Sequence, residues 1–119
     1  MTPTTLVIGG HAAAREAAIA AALDPALRTV ILLEGLPDGR STLQAQAESA
    51  RIEIVRIAAG CPCCIGNLTL RVHLNRILRR PPAQLYIGLA SASHLEQIRH
   101  FLRQPPYDGL LQLNQELAL

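Results

Sequence analysis

Three cysteines within four positions form the most chemically distinctive segment of the sequence. Cys61, Cys63 and Cys64 flank Pro62, and the chain contains no other cysteine. Thiolate sulfur is a preferred ligand of zinc and of softer ions such as Cu(I). The cluster therefore predicts a metal site for zinc, cobalt or copper, and tetrahedral zinc would need a fourth ligand. The sources of that ligand that we consider are Glu34, His73, His94, water and a second chain.

The same segment supports a second interpretation, thiol–disulfide exchange. Cys61 and Cys64 form a Cys-x-x-Cys pair that contains a proline and precedes a predicted helix, whose amino terminus would stabilise a thiolate. Thioredoxin-like proteins carry this pair after an early strand, whereas two strand-and-helix units precede it here. Metal binding is our leading hypothesis. Redox chemistry, small buried thiols in a core, and a protein-interaction module without chemistry are the alternatives.

A glycine turn lies where a phosphate-binding loop would stand. Gly9 and Gly10 follow the apolar run 6–8 and precede an alanine-rich helix. Such a loop leads into a lysine and a hydroxyl residue, but here Arg15 and Glu16 follow, and the chain has no lysine. Arginine lacks the compact ammonium group, and a carboxylate replaces the hydroxyl that would hold magnesium. We interpret Gly9, Gly10 and Arg15 as a vestigial phosphate loop, with an ordinary strand-to-helix turn as the alternative.

The elements that must position these residues alternate between strand and helix. Apolar, β-branched runs predict strands at 6–8, 29–33, 52–57, 85–89 and 110–113, the last being either a strand or a mobile tail. Helical patterns occur at 12–23, 42–50, 68–80 and 94–103. This alternation predicts an α/β fold, a three-layer sandwich with a mainly parallel sheet, as a single domain over residues 1–119. The polar alternation in 52–57 predicts a strand near an edge or with one polar face.

Taken together, these segments resemble the CobW-like family of metal-insertion GTPases. The match rests on Gly9, on Glu34 at the end of the second strand, and on the run Gly60-Cys61-Pro62-Cys63-Cys64, and it covers about residues 4–113. The resemblance implies a truncated P-loop domain in metal homeostasis or delivery, with metal on the thiols and Glu34 as a helper.

Departures from the family pattern limit what the resemblance implies. The loop lysine and the magnesium-binding hydroxyl are missing, and Gly88 stands where the family has a glutamate on its fourth strand. The sequence also stops before the family's guanine-recognition motif. We therefore expect no GTP hydrolysis, at best weak nucleotide binding, and no enzymatic activity.

The composition of the chain indicates its cellular compartment and the classes of partner that it binds. The net charge of +2 and the small aromatic content, one Phe, two Tyr and no Trp, argue against nucleic acid as a partner. No apolar stretch approaches the length of about 20 residues that spans a bilayer, and no secretory signal is visible. Clustered cysteines are typical of a reducing compartment, so we expect a cytoplasmic protein. A truncated sheet would leave an open edge, which predicts a homo-oligomer or a protein client.

Overall fold

The computed structural model describes residues 1–24, 26–34, 51–57, 68–89, 95–114 and 116–119. Within them the strands are β1 Thr2–Ile8, β2 Thr29–Glu34, β3 Ile52–Ile57, β4 Gln84–Leu89, β5 Leu111–Leu113 and β6 Leu117–Ala118. The α-helices are α1 Ala12–Ala22, α2 Leu68–Leu78 and α3 Leu95–Leu102, and a 3-10 turn spans Tyr107–Gly109. None of these helices is long and apolar enough to cross a membrane.

The strands form one sheet in the order β3-β2-β4-β1-β5, and β6 also pairs with β1. Every pairing described is parallel, which confirms the predicted α/β class. β3 ends the order, as its polar alternation predicts. β5 pairs with the first part of β1 and β6 with the last part, and the register shifts by one residue between them. One extra residue therefore separates these two short strands, as in a β-bulge.

Helices cover both faces of the sheet. On one face, Ile19 of α1 and Leu23, which caps that helix, pack with Val7 and Ile31 of the strands. On the other face, residues of α2 and α3 such as Leu74 pack with the alternate strand residues, among them Leu6, Leu32 and Ile87. Successive strand residues point to opposite faces, so a strand covered on both sides is apolar throughout. The three-layer prediction is confirmed and is compatible with a truncated P-loop-like domain.

Element ends differ from the sequence-based prediction in a few places. α2 ends at Leu78 instead of Arg80, because the N–H groups of Arg79 and Arg80 bond to the carbonyls three residues back, at 3.4 and 3.2 Å. This tighter last turn precedes Pro81, which cannot continue the helix. β1 starts four residues earlier than predicted, and β6 was not predicted. The predicted helix at 42–50 and the start of the helix predicted at 94–103 lie outside the described residues.

Candidate functional site

The carboxyl ends of four parallel strands meet at one edge of the sheet, where open α/β sheets bind ligands. β1, β2, β3 and β4 end there at Ile8, Glu34, Ile57 and Leu89. Glu34 is half-buried, and it is the register partner of Ile57 on the neighbouring strand. The predicted ligand Glu34 therefore stands beside the strand that leads, in sequence, into the cysteines. Cys61, Cys63 and Cys64 themselves lie outside the described residues.

The three residues of the predicted vestigial phosphate loop meet at the glycine turn that follows β1. Gly9 and Gly10 have φ angles of +84° and +61°, a region that glycine adopts without the steric cost other residues incur. Arg15 is 6% exposed, and its Nη1 donates to the carbonyl oxygens of Gly9 at 3.1 Å and of Gly10 at 2.8 Å. The guanidinium thus binds the carbonyls of the turn.

Backbone N–H groups at the start of α1, next to the turn, also form hydrogen bonds within the chain. The Nδ1 atom of His11 accepts from the N–H of Ala14 at 3.1 Å, and the N–H of Arg15 donates to the His11 carbonyl at 3.1 Å. The first N–H groups of a helix lack a partner within the helix and are what an anion would bind, and the N–H of Ala14 is already engaged here.

The backbone of Leu119 lies against the same turn. Its N–H donates to the Ile8 carbonyl at 2.9 Å, and its carbonyl oxygen lies 2.6 Å from where a Cβ at Gly9 would stand. A side chain at position 9 would therefore collide with backbone, in addition to the strain of the positive φ.

A buried ion pair links α1 to β3, and sequence reasoning missed it. The Oε1 atom of Glu16 lies 3.1 Å from Nη2 of Arg56, with side-chain exposures of 4% and 20%. One signal could have revealed it. Arg56 is in phase with Ile52 and Ile54 along β3, so it faces the same layer as they do and needs an anionic partner there.

His73, one of the two histidines considered as a fourth ligand, does not lie beside Glu34. His73 lines a depression together with Arg28 and Glu53, near the amino ends of β2 and β3, whereas Glu34 ends β2 at its other end. His94 lies outside the described residues. Within the described part of the chain, no three His, Asp or Glu side chains gather into a metal-binding group.

Comparison with known proteins finds a relative that handles metal. The chain is 28% identical to the protein described as zinc chaperone YeiR of Escherichia coli (strain K12), over an alignment of 123 positions. The alignment covers the whole chain but 37% of the relative's length. No family model matches the chain. No solved structure matches it either. The chain is thus similar to a part of a zinc chaperone.

Proposed function

We propose that this chain is a CobW-like domain that binds zinc as cargo in metal homeostasis or delivery, with cobalt or copper as alternative ions. The metal is held by Cys61, Cys63 and Cys64 with help from Glu34. The observation that carries the proposal is the pairing of Glu34 with Ile57, the residue four positions before Cys61 in the sequence. Similarity along the whole chain to a zinc chaperone supports zinc as the cargo.

The length of chain between Ile57 and Cys61 and the ligand preferences of zinc both support these residues as metal ligands. Four residues of chain span at most about 14 Å, so a thiol of the cluster and the Glu34 carboxylate can serve one ion. Zinc accepts both thiolate sulfur and carboxylate oxygen. Adjacent cysteines point in different directions on most backbones, so Cys61 and one of Cys63 and Cys64 dominate the binding. Water, a histidine or a partner protein completes the coordination.

The proposed domain does not hydrolyse nucleotide. Support comes from Arg15, whose guanidinium binds the carbonyls of the glycine turn, and from Glu16, which pairs with Arg56. A phosphate-loop lysine reaches the phosphates and the loop hydroxyl binds magnesium, so the contacts of both side chains within the chain support the absence of hydrolysis. We expect no magnesium-dependent GTP turnover by the purified chain. Turnover that persists through repeated purification would contradict this part of the proposal.

Cobalt titration of the reduced, metal-free protein under anaerobic conditions tests the metal site. We expect one ion per chain, or one shared by two chains, with thiolate charge-transfer absorption and tetrahedral d–d bands. Cys61→Ser should remove most of the charge-transfer intensity, and Glu34→Gln should shift the d–d bands and weaken binding. Glu53→Gln is the matched control, because Glu53 lies on the adjacent strand towards its amino end.

Two results would replace the proposed function. If the reduced protein shows no charge-transfer band but cycles reversibly through a Cys61–Cys64 disulfide at a physiological potential, thiol–disulfide exchange is the function. If a client protein binds equally well after all three cysteines are changed to serine, the chain is an interaction module. Metal analysis of untagged protein purified anaerobically distinguishes thiol–disulfide exchange from the proposed metal binding directly.

A further inference from the structure

The opposite edge of the sheet carries a concave, strongly basic surface. Two depressions, with volumes of about 480 and 210 Å³, lie around the starts of β2 and β3 and share Arg28, Glu53 and Arg80 among their lining residues. We call the combined surface the basal basin. Among the described residues, the charged and titratable side chains that line it are Arg28, Arg51, Arg76, Arg80, Glu53 and His73.

Positive charge is concentrated in the basal basin. Among the described residues that line it are four of the chain's eleven arginines and one carboxylate, Glu53, a surplus of positive charge larger than the net charge of +2 of the whole chain. The salt bridges among the described residues involve Arg56 and Arg99, not the arginines of the basin. Like charges held together in excess over their counter-charges raise the local potential and attract anions.

Hydrogen bonds hold the three chain segments of the basin together. Nη1 of Arg28 donates to the carbonyl of Arg80 at 2.8 Å, and the Arg28 carbonyl accepts from the N–H of Ala83 at 2.9 Å. The N–H of Thr29 donates to the carbonyl of Arg51 at 2.8 Å. The backbones that carry the arginines are therefore fixed before any ligand arrives, which lowers the ordering cost of binding.

We propose that the basal basin binds a small anion with two or more phosphate groups. The planar guanidinium fork matches phosphate oxygens in bidentate geometry, and the larger depression has the size of a small-molecule site. No Phe, Tyr or Trp side chain is among the described residues that line it. The arginines and His73 supply hydrogen-bond donors and positive charge, which are groups that bind phosphate oxygens.

This site is independent of the proposed metal site. The basin surrounds the amino ends of β2 and β3, whereas Glu34 and the strand end leading to the cysteines lie at their carboxyl ends. A six-residue strand separates these ends by about 20 Å. Loss of the cysteines should therefore leave anion binding unchanged.

Calorimetric titration of the full chain with tripolyphosphate at low ionic strength tests the proposal. Arg51→Gln and Arg76→Gln change exposed arginines, and each should weaken binding about fivefold, the effect of one solvated charge a few ångströms away. Arg79→Gln is the matched control, an exposed arginine outside the basin next to Arg80, and should change affinity by less than about twofold. Glu53→Gln removes the one carboxylate among the described lining residues and should tighten binding, which a misfolded protein would not do.

Three outcomes would overturn the proposal. The first is no binding of tripolyphosphate at about 1 mM. The second is a loss in Arg79→Gln equal to the losses in Arg51→Gln and Arg76→Gln, which would show a diffuse charge effect without a site. The third is tighter binding of hexaglutamate than of tripolyphosphate at equal ionic strength, which would make an acidic peptide the ligand.

Discussion

At the scale of single residues, the first turn and a half of α1 buries two opposite charges that do not pair with each other. Arg15 and Glu16 are 6% and 3% exposed. Buried charges are stable only when paired or hydrogen-bonded. Arg15 meets this need through the carbonyls of Gly9 and Gly10, and Glu16 through Arg56. Both side chains therefore tie α1 to the sheet, one to the end of β1 and the other to β3.

Substitutions of Glu16 and Arg56 should have coupled effects on the free energy of unfolding. Glu16→Gln should lower the free energy of unfolding by about 2 kcal/mol, less than for a fully buried pair because Arg56 retains contact with water. Adding Arg56→Gln should cost little more, since the unpaired cation is then gone. Urea unfolding of the two single variants and the double variant measures this coupling. Strictly additive effects would show that the pair contributes no interaction energy.

Arg15 should contribute to stability through its contacts with the glycine turn. Arg15→Met keeps much of the apolar stem but loses two charge-assisted hydrogen bonds, and should destabilise the fold by about 2 kcal/mol. Arg15→Lys should lose less, because an ammonium group also donates to carbonyls. Arg103→Gln, at an exposed position, serves as the control in the same urea experiment. Equal stability of Arg15→Met and the unchanged protein would contradict the structural role.

At the scale of elements, β4 packs so closely in the centre of the sheet that a side chain at position 88 would displace a neighbouring side chain. Gly88 pairs in register with Val7 of β1 and with Leu33 of β2. A Cβ at this position would lie 2.7 Å from Cδ2 of Leu33. The family that the sequence resembles has a glutamate there, and a carboxylate would enter a buried apolar layer without room for it.

Substitution of Gly88 should therefore lower the free energy of unfolding by an amount that depends on the Leu33 side chain. Gly88→Ala should cost about 1–2 kcal/mol, because the Leu33 side chain must move. Combining it with Leu33→Val, which removes the clashing Cδ2 atom, should cost less than the sum of the two single changes. Gly88→Glu should be far more destabilising, since it buries a charge. Thermal and urea unfolding measure these differences, and additivity of Gly88→Ala with Leu33→Val would contradict the steric explanation.

An aromatic pair connects α3 to the 3-10 turn that follows it. The rings of Phe101 and Tyr107 pack edge to face, with centroids 5.0 Å apart and an angle of 83° between their planes. The Tyr107 hydroxyl donates to Oδ1 of Asn75 on α2 at 2.7 Å.

Burial raises the pKa of Tyr107 above its ordinary value, although the charge of Arg71 acts in the opposite direction. Burial also raises the pKa of Tyr86 on β4.

Both tyrosines should make stability fall in alkaline solution. A raised pKa means that the folded state holds the phenolic proton more tightly than the unfolded state. The resulting stabilisation is complete below pH of about 10, the ordinary tyrosine value, and is lost as the pH rises through the folded pKa. Tyr107→Phe should make the decline less steep. Urea midpoints at several pH values measure it, and absorbance titration showing both tyrosines ionising at the ordinary value would contradict it.

At the scale of the whole molecule, β5 is an end strand of the sheet, and apolar side chains lie beside it. Met1 and Leu110 are 73% and 41% exposed next to the strands β1 and β5 that they precede. An end strand presents unpaired backbone groups to other chains. The expectation of self-association stays a prediction, and this edge is where we place it.

Sedimentation velocity over a range of concentrations tests self-association. We expect a concentration-dependent dimer, and Leu110→Glu should shift it towards monomer by placing a charge at the contact. Val72→Glu is the matched control, since Val72 is similarly exposed, at 48%, but lies on α2 away from β5. Monomer at all concentrations would contradict the prediction, as would an equal effect of Val72→Glu.

Local sequence determined the class of the fold and the types of its chemical groups. The apolar run of β2 and the helical spacing in α2 each follow from residues close together in the chain, and their alternation led to the parallel three-layer sheet. The absence of lysine from the chain, on which the interpretation of Arg15 as part of a vestigial phosphate loop rests, is likewise visible from composition. Glu34 could be placed at a strand end, because strands that are all parallel share one carboxyl edge.

Tertiary structure alone decided which distant residues meet. Arg56 and Glu16 are 40 residues apart, and they pair because β3 and α1 meet on one face of the sheet. β6, which was not predicted, pairs with β1 and brings Leu119 to the glycine turn. The basal basin draws on three separate segments of the chain. Such contacts depend on strand order and register, and both result from the packing of the whole core, whereas local propensity acts only over neighbouring residues.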